Sequence, residues 1–121
     1  MANYVVGISG GSGAPYTRRV IEGLVEAGHD AKIVITDAGR RVFEIELGIA
    51  LTGDPAADTQ ILKDNLDLES GSGSIELFDQ RNVAATIASG SYECAGMVVV
   101  PCSMGTLARI ATGISSNLLE R

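Results

Sequence analysis

Tryptophan is absent from the 121 residues, histidine occurs once (His29), cysteine twice (Cys94 and Cys102) and proline three times. Two cysteines are too few for a disulfide scaffold. Without a Cys-x-x-Cys or a second histidine they do not have the spacing of a zinc site, so no metal is expected. Cys94 reads as a small buried apolar residue. Cys102 reads as a structural residue at a strand end, since no histidine stands near it to make a nucleophile. Positive charge is also scarce: nine Lys and Arg against 15 Asp and Glu give a formal net charge of −6. That argues against a nucleic-acid surface, because a phosphate backbone is met by clustered Lys and Arg. No apolar run is long enough to span a bilayer, and the N-terminus has no basic-then-apolar signal, so a cytoplasmic protein without a membrane partner is expected. The apolar share of 45% and the length suit one domain with a single core, read as residues 1–121.

Glycine, by contrast, is plentiful, with 15 residues. The apolar stretch Tyr4-Val5-Val6 runs into Gly7-Ile8-Ser9-Gly10-Gly11-Ser12-Gly13-Ala14-Pro15-Tyr16. Strand, glycine- and serine-rich turn, then helix is the build of a phosphate cradle: glycines let backbone approach an anion, and the helix N-terminus offers N–H groups and the positive dipole end. Pro15 suits the first helical turn, and Ser9 and Ser12 can add hydroxyl donors. A nucleoside-triphosphate loop requires Lys-Ser or Lys-Thr after its last glycine, but Ala14-Pro15 follows Gly13. The glycine spacing does not give Gly-x-Gly-x-x-Gly either. Asp37 stands where a ribose-binding acid would, although an Asp after a strand is common in α/β domains. Flavin mononucleotide (FMN) or another single-phosphate ligand fits better; a tight turn without ligand is the plain alternative.

Strand and helix patterns alternate along the chain. A first strand is expected at about Tyr4–Ile8, then a helix with apolar rows Tyr16, Val20, Leu24 and Ile21, Val25, ended by Gly28. Ala31–Ile35 reads as a strand buried on both faces, followed by a helix over Ala38–Leu47. Thr52 to Gly73 reads as a surface excursion with one short helix (Thr59–Leu66), its acidic residues a solvated face. A short strand at Ser74–Phe78, a helix at Asn82–Ile87, a strand at Met97–Val100 and a last helix from Ser103, holding Leu107, Ile110 and Ala111 and extending to Leu118 and Leu119, complete the pattern. This predicts an α/β, doubly wound parallel sheet in three layers, incomplete at the C-terminal end.

A second loop, Val98-Val99-Val100-Pro101-Cys102-Ser103-Met104-Gly105-Thr106, repeats the logic of the first, with Ser103 suited to cap a helix. Ligands of open α/β sheets bind beyond the carboxyl ends of strands near a switch point, so two such loops can face one ligand.

Taken together, Gly7 to Ala14, Ala88-Ser89-Gly90-Ser91, Pro101 to Leu107 and Asn117-Leu118-Leu119-Glu120-Arg121 resemble the flavin prenyltransferases, the UbiX family, across the whole chain and in order. The resemblance implies a flavodoxin-like or Rossmann-like fold and a metal-independent enzyme. That enzyme transfers a dimethylallyl group from dimethylallyl phosphate to N5 and C6 of reduced FMN, making prenylated FMN for UbiD-type decarboxylases. It also implies a homo-oligomer, a dodecamer in the family, with sites at subunit interfaces; whether the donor is a mono- or diphosphate stays open. By the same resemblance Gly10, Gly11, Ser12, Gly13, Thr36, Ser103 and Thr106 bind the flavin, Thr36 in the place of a serine. Ala88, Ser89, Gly90 and Arg121 bind the substrate, and Ser12, Glu46 and Arg121 act in catalysis, Glu46 as proton acceptor and Arg121 as phosphate ligand. Family members continue beyond the arginine with a lysine, a glutamate, a tyrosine and a further arginine, so the chain reads as the N-terminal portion of a longer domain. Two other readings remain: a non-catalytic FMN-binding fragment or subunit, and a flavin-dependent cysteine decarboxylase relative. The latter uses a catalytic histidine and a different second loop.

Overall fold

β-branched and apolar residues dominate the four short segments that pair into one sheet; a glycine-rich turn follows the first, and side-chain-capped helices follow the second and the fourth. A computed structural model describes residues 2–68, 71–82, 86–88, 93–115 and 117–120. The strands are β1 (Asn3–Ile8), β2 (Asp30–Ile35), β3 (Ile75–Phe78) and β4 (Gly96–Val99); the helices are α1 (Ala14–Glu26), α2 (Asp37–Leu47), α3 (Pro55–Asn65) and α4 (Met104–Thr112). All pairings are parallel, in the order β3-β2-β1-β4. The register sets Val5 beside Lys32 on one side and beside Met97 on the other. The order reverses between β1 and β4, and that reversal is the switch point of a doubly wound sheet.

Alternation along the strands gives the sheet two unequal faces. Val6 and Ile8, Ile33 and Ile35, and Ile75 and Leu77 share one core with Ile21 and Val25 of α1, Phe43 of α2 and Leu62 of α3. The other face holds Val34 against Leu118 and Leu119, with Phe78, Ile87, Ala88 and Val99 half-buried beside them. Gly7 permits that contact, because a Cβ there would stand 3.0 Å from Leu119 Cγ.

Several boundaries and one helical face differ from expectation. The buried stripe of α1 is Ala14, Thr17, Ile21 and Val25, while Tyr16 is 73% exposed. The Thr17 hydroxyl donates to the Val100 carbonyl at 2.6 Å, which turns this polar residue inward and Tyr16 outward. Helix α1 ends one residue before its cap Ala27, and Gly28 follows with φ +86°. The bond from the His29 amide to Leu24 O closes the turn. Helix α3 begins at Pro55 rather than Thr59, because Asp54 caps it by accepting from the Ala57 amide at 3.0 Å. Asp58 is not part of a solvated face: it is buried and accepts from the Thr52 amide, the Thr52 hydroxyl and the Gly53 amide. Cys94 is exposed rather than buried: it stands just before β4, a strand whose own Met97 and Val98 are exposed. Of the expected helix over Asn82–Ile87, residues 83–85 lie outside the described residues, and a 3-10 turn covers Thr86–Ala88. Helix α4 stops at Thr112, where Gly113 takes a left-handed φ of +80°, so Leu118 and Leu119 belong to a separate turn.

Candidate functional site

The parallel ladder of β1 and β4 carries on past the strand ends and brings the two glycine- and serine-rich loops together. Val100 donates to Gly7 O at 2.8 Å, and Ser9 donates through its amide to Pro101 O at 3.1 Å. The Ser9 side chain then bridges the loops: its hydroxyl donates to Pro101 O at 2.9 Å and accepts from the Ser103 amide at 2.7 Å. Ser9 is buried, so it is a strut between the loops and not the ligand donor it was expected to be.

Close backbone approach completes the mouth. A Cβ on Gly11 would meet Pro101 Cβ and the Cys102 carbonyl carbon at 3.4 Å, and one on Gly10 would lie 2.7 Å from Ala38 Cβ. Gly13 carries φ +124°, a conformation that favours glycine. Side chains at these positions would push the first loop away from α2 and from the second loop, so the glycines let the loops close on their neighbours and leave backbone at the mouth. The hydroxyls of Ser12 and Ser103 flank it, and these residues fit FMN as a ligand.

Glu46 changes the reading of the first loop. It lies in the last turn of α2, where the macrodipole disfavours a carboxylate, yet its head reaches the N-terminus of α1, where one is favoured. It accepts from the Ser12 hydroxyl at 2.7 Å, the Gly13 amide at 3.0 Å and the Ala14 amide at 2.8 Å. The Ser12 hydroxyl first, then the two amides, hold its carboxyl below the usual range. The N–H groups expected to cradle a phosphate are therefore occupied by a side chain of the protein itself. Ser12 is exposed and has its proton committed to Glu46, which leaves its oxygen free to accept.

Thr36 caps α2 by accepting from the Gly39 amide at 3.0 Å and is itself buried. Asp37 beside it is paired with Arg40 and Arg81. The Arg40 hydrogen bond, with charge from both arginines, outweighs burial and lowers its carboxyl. A shallow cleft open to solvent lies at the ends of β2 and β3 between Asp37, Arg40, Phe78 and Arg81, apart from the two-loop mouth. Ser103 caps α4, accepting from the Thr106 amide at 3.2 Å. Thr106 is buried, its hydroxyl held by Ser103 at 3.0 Å. Ala88 is half-buried on the opposite sheet face, against the Leu118 and Leu119 cluster. Ser89, Gly90 and Arg121 lie outside the described residues. Thr17 and Ser9, both structural links to the 100–101 segment, were not recognised from sequence as such. For Thr17 the signal was the spacing 14, 17, 21, 25.

The family model described as Flavoprotein matches residues 1–121. The chain belongs to the flavoprotein family. It is 43% identical over 117 residues to the flavin prenyltransferase UbiX of Synechocystis sp., an alignment covering 97% of this chain and 56% of the relative. It is similar to the crystal structure of a dodecameric FMN-dependent UbiX-like decarboxylase from Escherichia coli O157:H7, with TM-score 0.73 and 27% identity, over 98% of this chain and 56% of that one. The AnUbiX structure in complex with FMN and dimethylallyl pyrophosphate has the same fold, with TM-score 0.77 and 24% identity, over 98% and 55% of the two chains. The chain spans about half the length of the curated relatives it matches. Among the described residues, no helix of this flavoprotein is long and apolar enough to cross a membrane.

Proposed function

We propose that the protein is a flavin prenyltransferase, transferring a dimethylallyl group from dimethylallyl phosphate to N5 and C6 of reduced FMN. Its product would serve UbiD-type decarboxylases. Residues 1–121 would be the N-terminal portion of a longer flavoprotein domain that works in the cytoplasm as a homo-oligomer. The observation that carries this reading is the pair of glycine- and serine-rich loops tied by Ser9 at the β1/β4 switch point. The 43% identity to a named flavin prenyltransferase supports it.

Reduced flavin, when bound, supplies the electron-rich ring atoms that accept the prenyl group. The chain's residues would orient it. Gly10, Gly11 and Gly13 would present loop backbone to its edge by letting the first loop close against α2 and the second loop, while Ser103 and the backbone of both loops offer hydrogen bonds; Thr36 and Thr106, both buried, would support those loops from behind. Ser12, whose hydroxyl donates to Glu46, would accept the proton of a ligand N–H as its own hydroxyl proton moves to the Glu46 carboxylate. Glu46, kept ionised by its three donors, would be the proton acceptor. Ala88, Ser89 and Gly90 are proposed to border the prenyl donor, and Arg121 to grip its phosphate in a bidentate manner.

The test is anaerobic incubation with reduced FMN and dimethylallyl phosphate, read by mass spectrometry of the extracted flavin. A flavin heavier by one dimethylallyl group supports transfer; failure to bind FMN overturns the reading. The alternative is FMN binding without transfer. FMN retained without any mass gain would select it.

A further inference from the structure

One ion pair of this chain is absorbed neither by the two-loop mouth nor by the hydrophobic cores. Arg109 Nε donates to Glu120 Oε2 at 2.6 Å, and the Glu120 side chain is 0% exposed. Long helical side chains lean toward the N-terminus of their helix, and Arg109 does so. Its Nη2 lies 3.5 Å from Thr106 Oγ1, and a Cβ on Gly105 would stand 3.3 Å from its Nη1. The guanidinium therefore covers the first turn of α4. Directly beneath it, Thr106 is 2% exposed and holds the Ser103 hydroxyl through both its amide and its own hydroxyl.

These links form one continuous polar chain: Glu120, Arg109, Thr106, Ser103, Ser9 and Pro101. Its far end is anchored independently. The Glu120 amide donates to Asn117 Oδ1 at 3.0 Å, Leu118 donates to Gln80 O at 2.7 Å, and Leu118 and Leu119 are buried under the sheet. A buried carboxylate without its cation is costly, so Glu120 fixes the place of the guanidinium, and the planar fork of an arginine can reach two partners at once.

We propose that Arg109 is a positioning residue for the flavin loop: held by Glu120, it steadies Thr106 and so fixes the Ser103 side chain at the start of α4. The role rests on the proposed flavin function, but the coupling from Glu120 to Ser103 exists with or without ligand. Arg109→Lys isolates the positioning role. A lysine keeps the charge pair with Glu120 and lacks the second arm toward Thr106.

The experiment uses the whole protein and measures two quantities in Arg109→Lys and Glu120→Gln. The first is amide hydrogen exchange at Ser103 and Thr106 without flavin, with Val6 and Ile33 as core references. Exchange at Ser103 and Thr106 should quicken about fivefold in both variants, the weight of one modest hydrogen bond, with the references unchanged. Equal exchange in parent and variants overturns the proposal whether or not flavin binds. The second is FMN affinity by fluorescence quenching alongside the melting temperature. Arg109→Lys should bind FMN about fivefold more weakly while melting as the parent does. A variant that binds FMN like the parent refutes the positioning role. If the parent itself binds no FMN, the functional reading fails, and the exchange result still decides the coupling.

Discussion

Replacing Ser9 with alanine removes the one side chain that ties both loops. The hydroxyl makes two bonds, to Pro101 O at 2.9 Å and from the Ser103 amide at 2.7 Å. Pro101 O keeps the Ser9 amide as a donor, so its loss is one bond of about 1 kcal/mol. The Ser103 amide is left without its partner next to a buried residue, which costs about 1–3 kcal/mol. The sum is about 3 kcal/mol. For a chain of this length each kcal/mol moves the melting temperature by about 3–4 °C, so Ser9→Ala should melt about 10 °C below the parent. The assay is thermal unfolding by circular dichroism, with Ser12→Ala as the control. The Ser12 hydroxyl is exposed, and the two amides still hold Glu46 after it is removed; the control should lie much nearer the parent. A Ser9→Ala melting temperature within about 2 °C of the parent would mean the loops are held by something other than this strut. That result would refute the reasoning, because the Ser9 bonds are the only polar side-chain link between the loops themselves among the described residues.

Glu46 makes a pH prediction. Its folded pKa is lowered, so the latch is complete above the ordinary value of 4.5 and is lost as pH falls through the lower folded value. The Gly13 and Ala14 amide chemical shifts should therefore titrate with a midpoint below 4.5, and a midpoint above it would contradict the geometry. Gly10→Ala drives a Cβ to 2.7 Å from Ala38 Cβ and should cost about 1–3 kcal/mol by overpacking, seen as a lower denaturant midpoint; an unchanged midpoint would show that α2 yields freely. Asp58→Asn keeps the shape but weakens three bonds to Thr52 and Gly53. It should destabilise by about 1.5–3 kcal/mol in urea unfolding, whereas a solvated Asp58 would give no change.

The sheet was legible because its signals are local. Tyr4–Ile8, Ala31–Ile35 and Met97–Val100 are short apolar runs bounded by turn residues, and they lie within one residue of β1, β2 and β4. The parallel order followed from the alternation with helices. What was not legible depended on partners far along the chain. Glu46 and Ser12 are 34 residues apart, so no spacing rule could tell that a glutamate in α2 would take the N–H groups of α1. Tyr16 was misplaced because Tyr16, Val20 and Leu24 read as an apolar row. The inward position of Thr17 depends on a carbonyl 83 residues away. Asp58 is the local exception: its partners Thr52 and Gly53 are six and five residues before it, and it looks like any surface acid until their amides turn back onto it.

Ser9 and Ser12 show most clearly why composition alone could not assign the site. Both are serines of one glycine-rich turn, and either could have met a ligand. Ser9 directly follows β1, where the ladder with β4 is still running, so its hydroxyl is drawn into the sheet's own hydrogen bonding. Ser12 lies beyond the end of that ladder, beside a helix N-terminus with its amides to satisfy, and its hydroxyl joins them on Glu46. With so many glycines the mouth has little apolar side-chain packing of its own. Its shape therefore depends on a few polar links, Ser9 to the second loop, Thr17 to Val100, and Glu46 to Ser12. A mouth held in this way keeps its backbone open to a ligand, and it is correspondingly sensitive to the loss of a single hydroxyl or carboxylate.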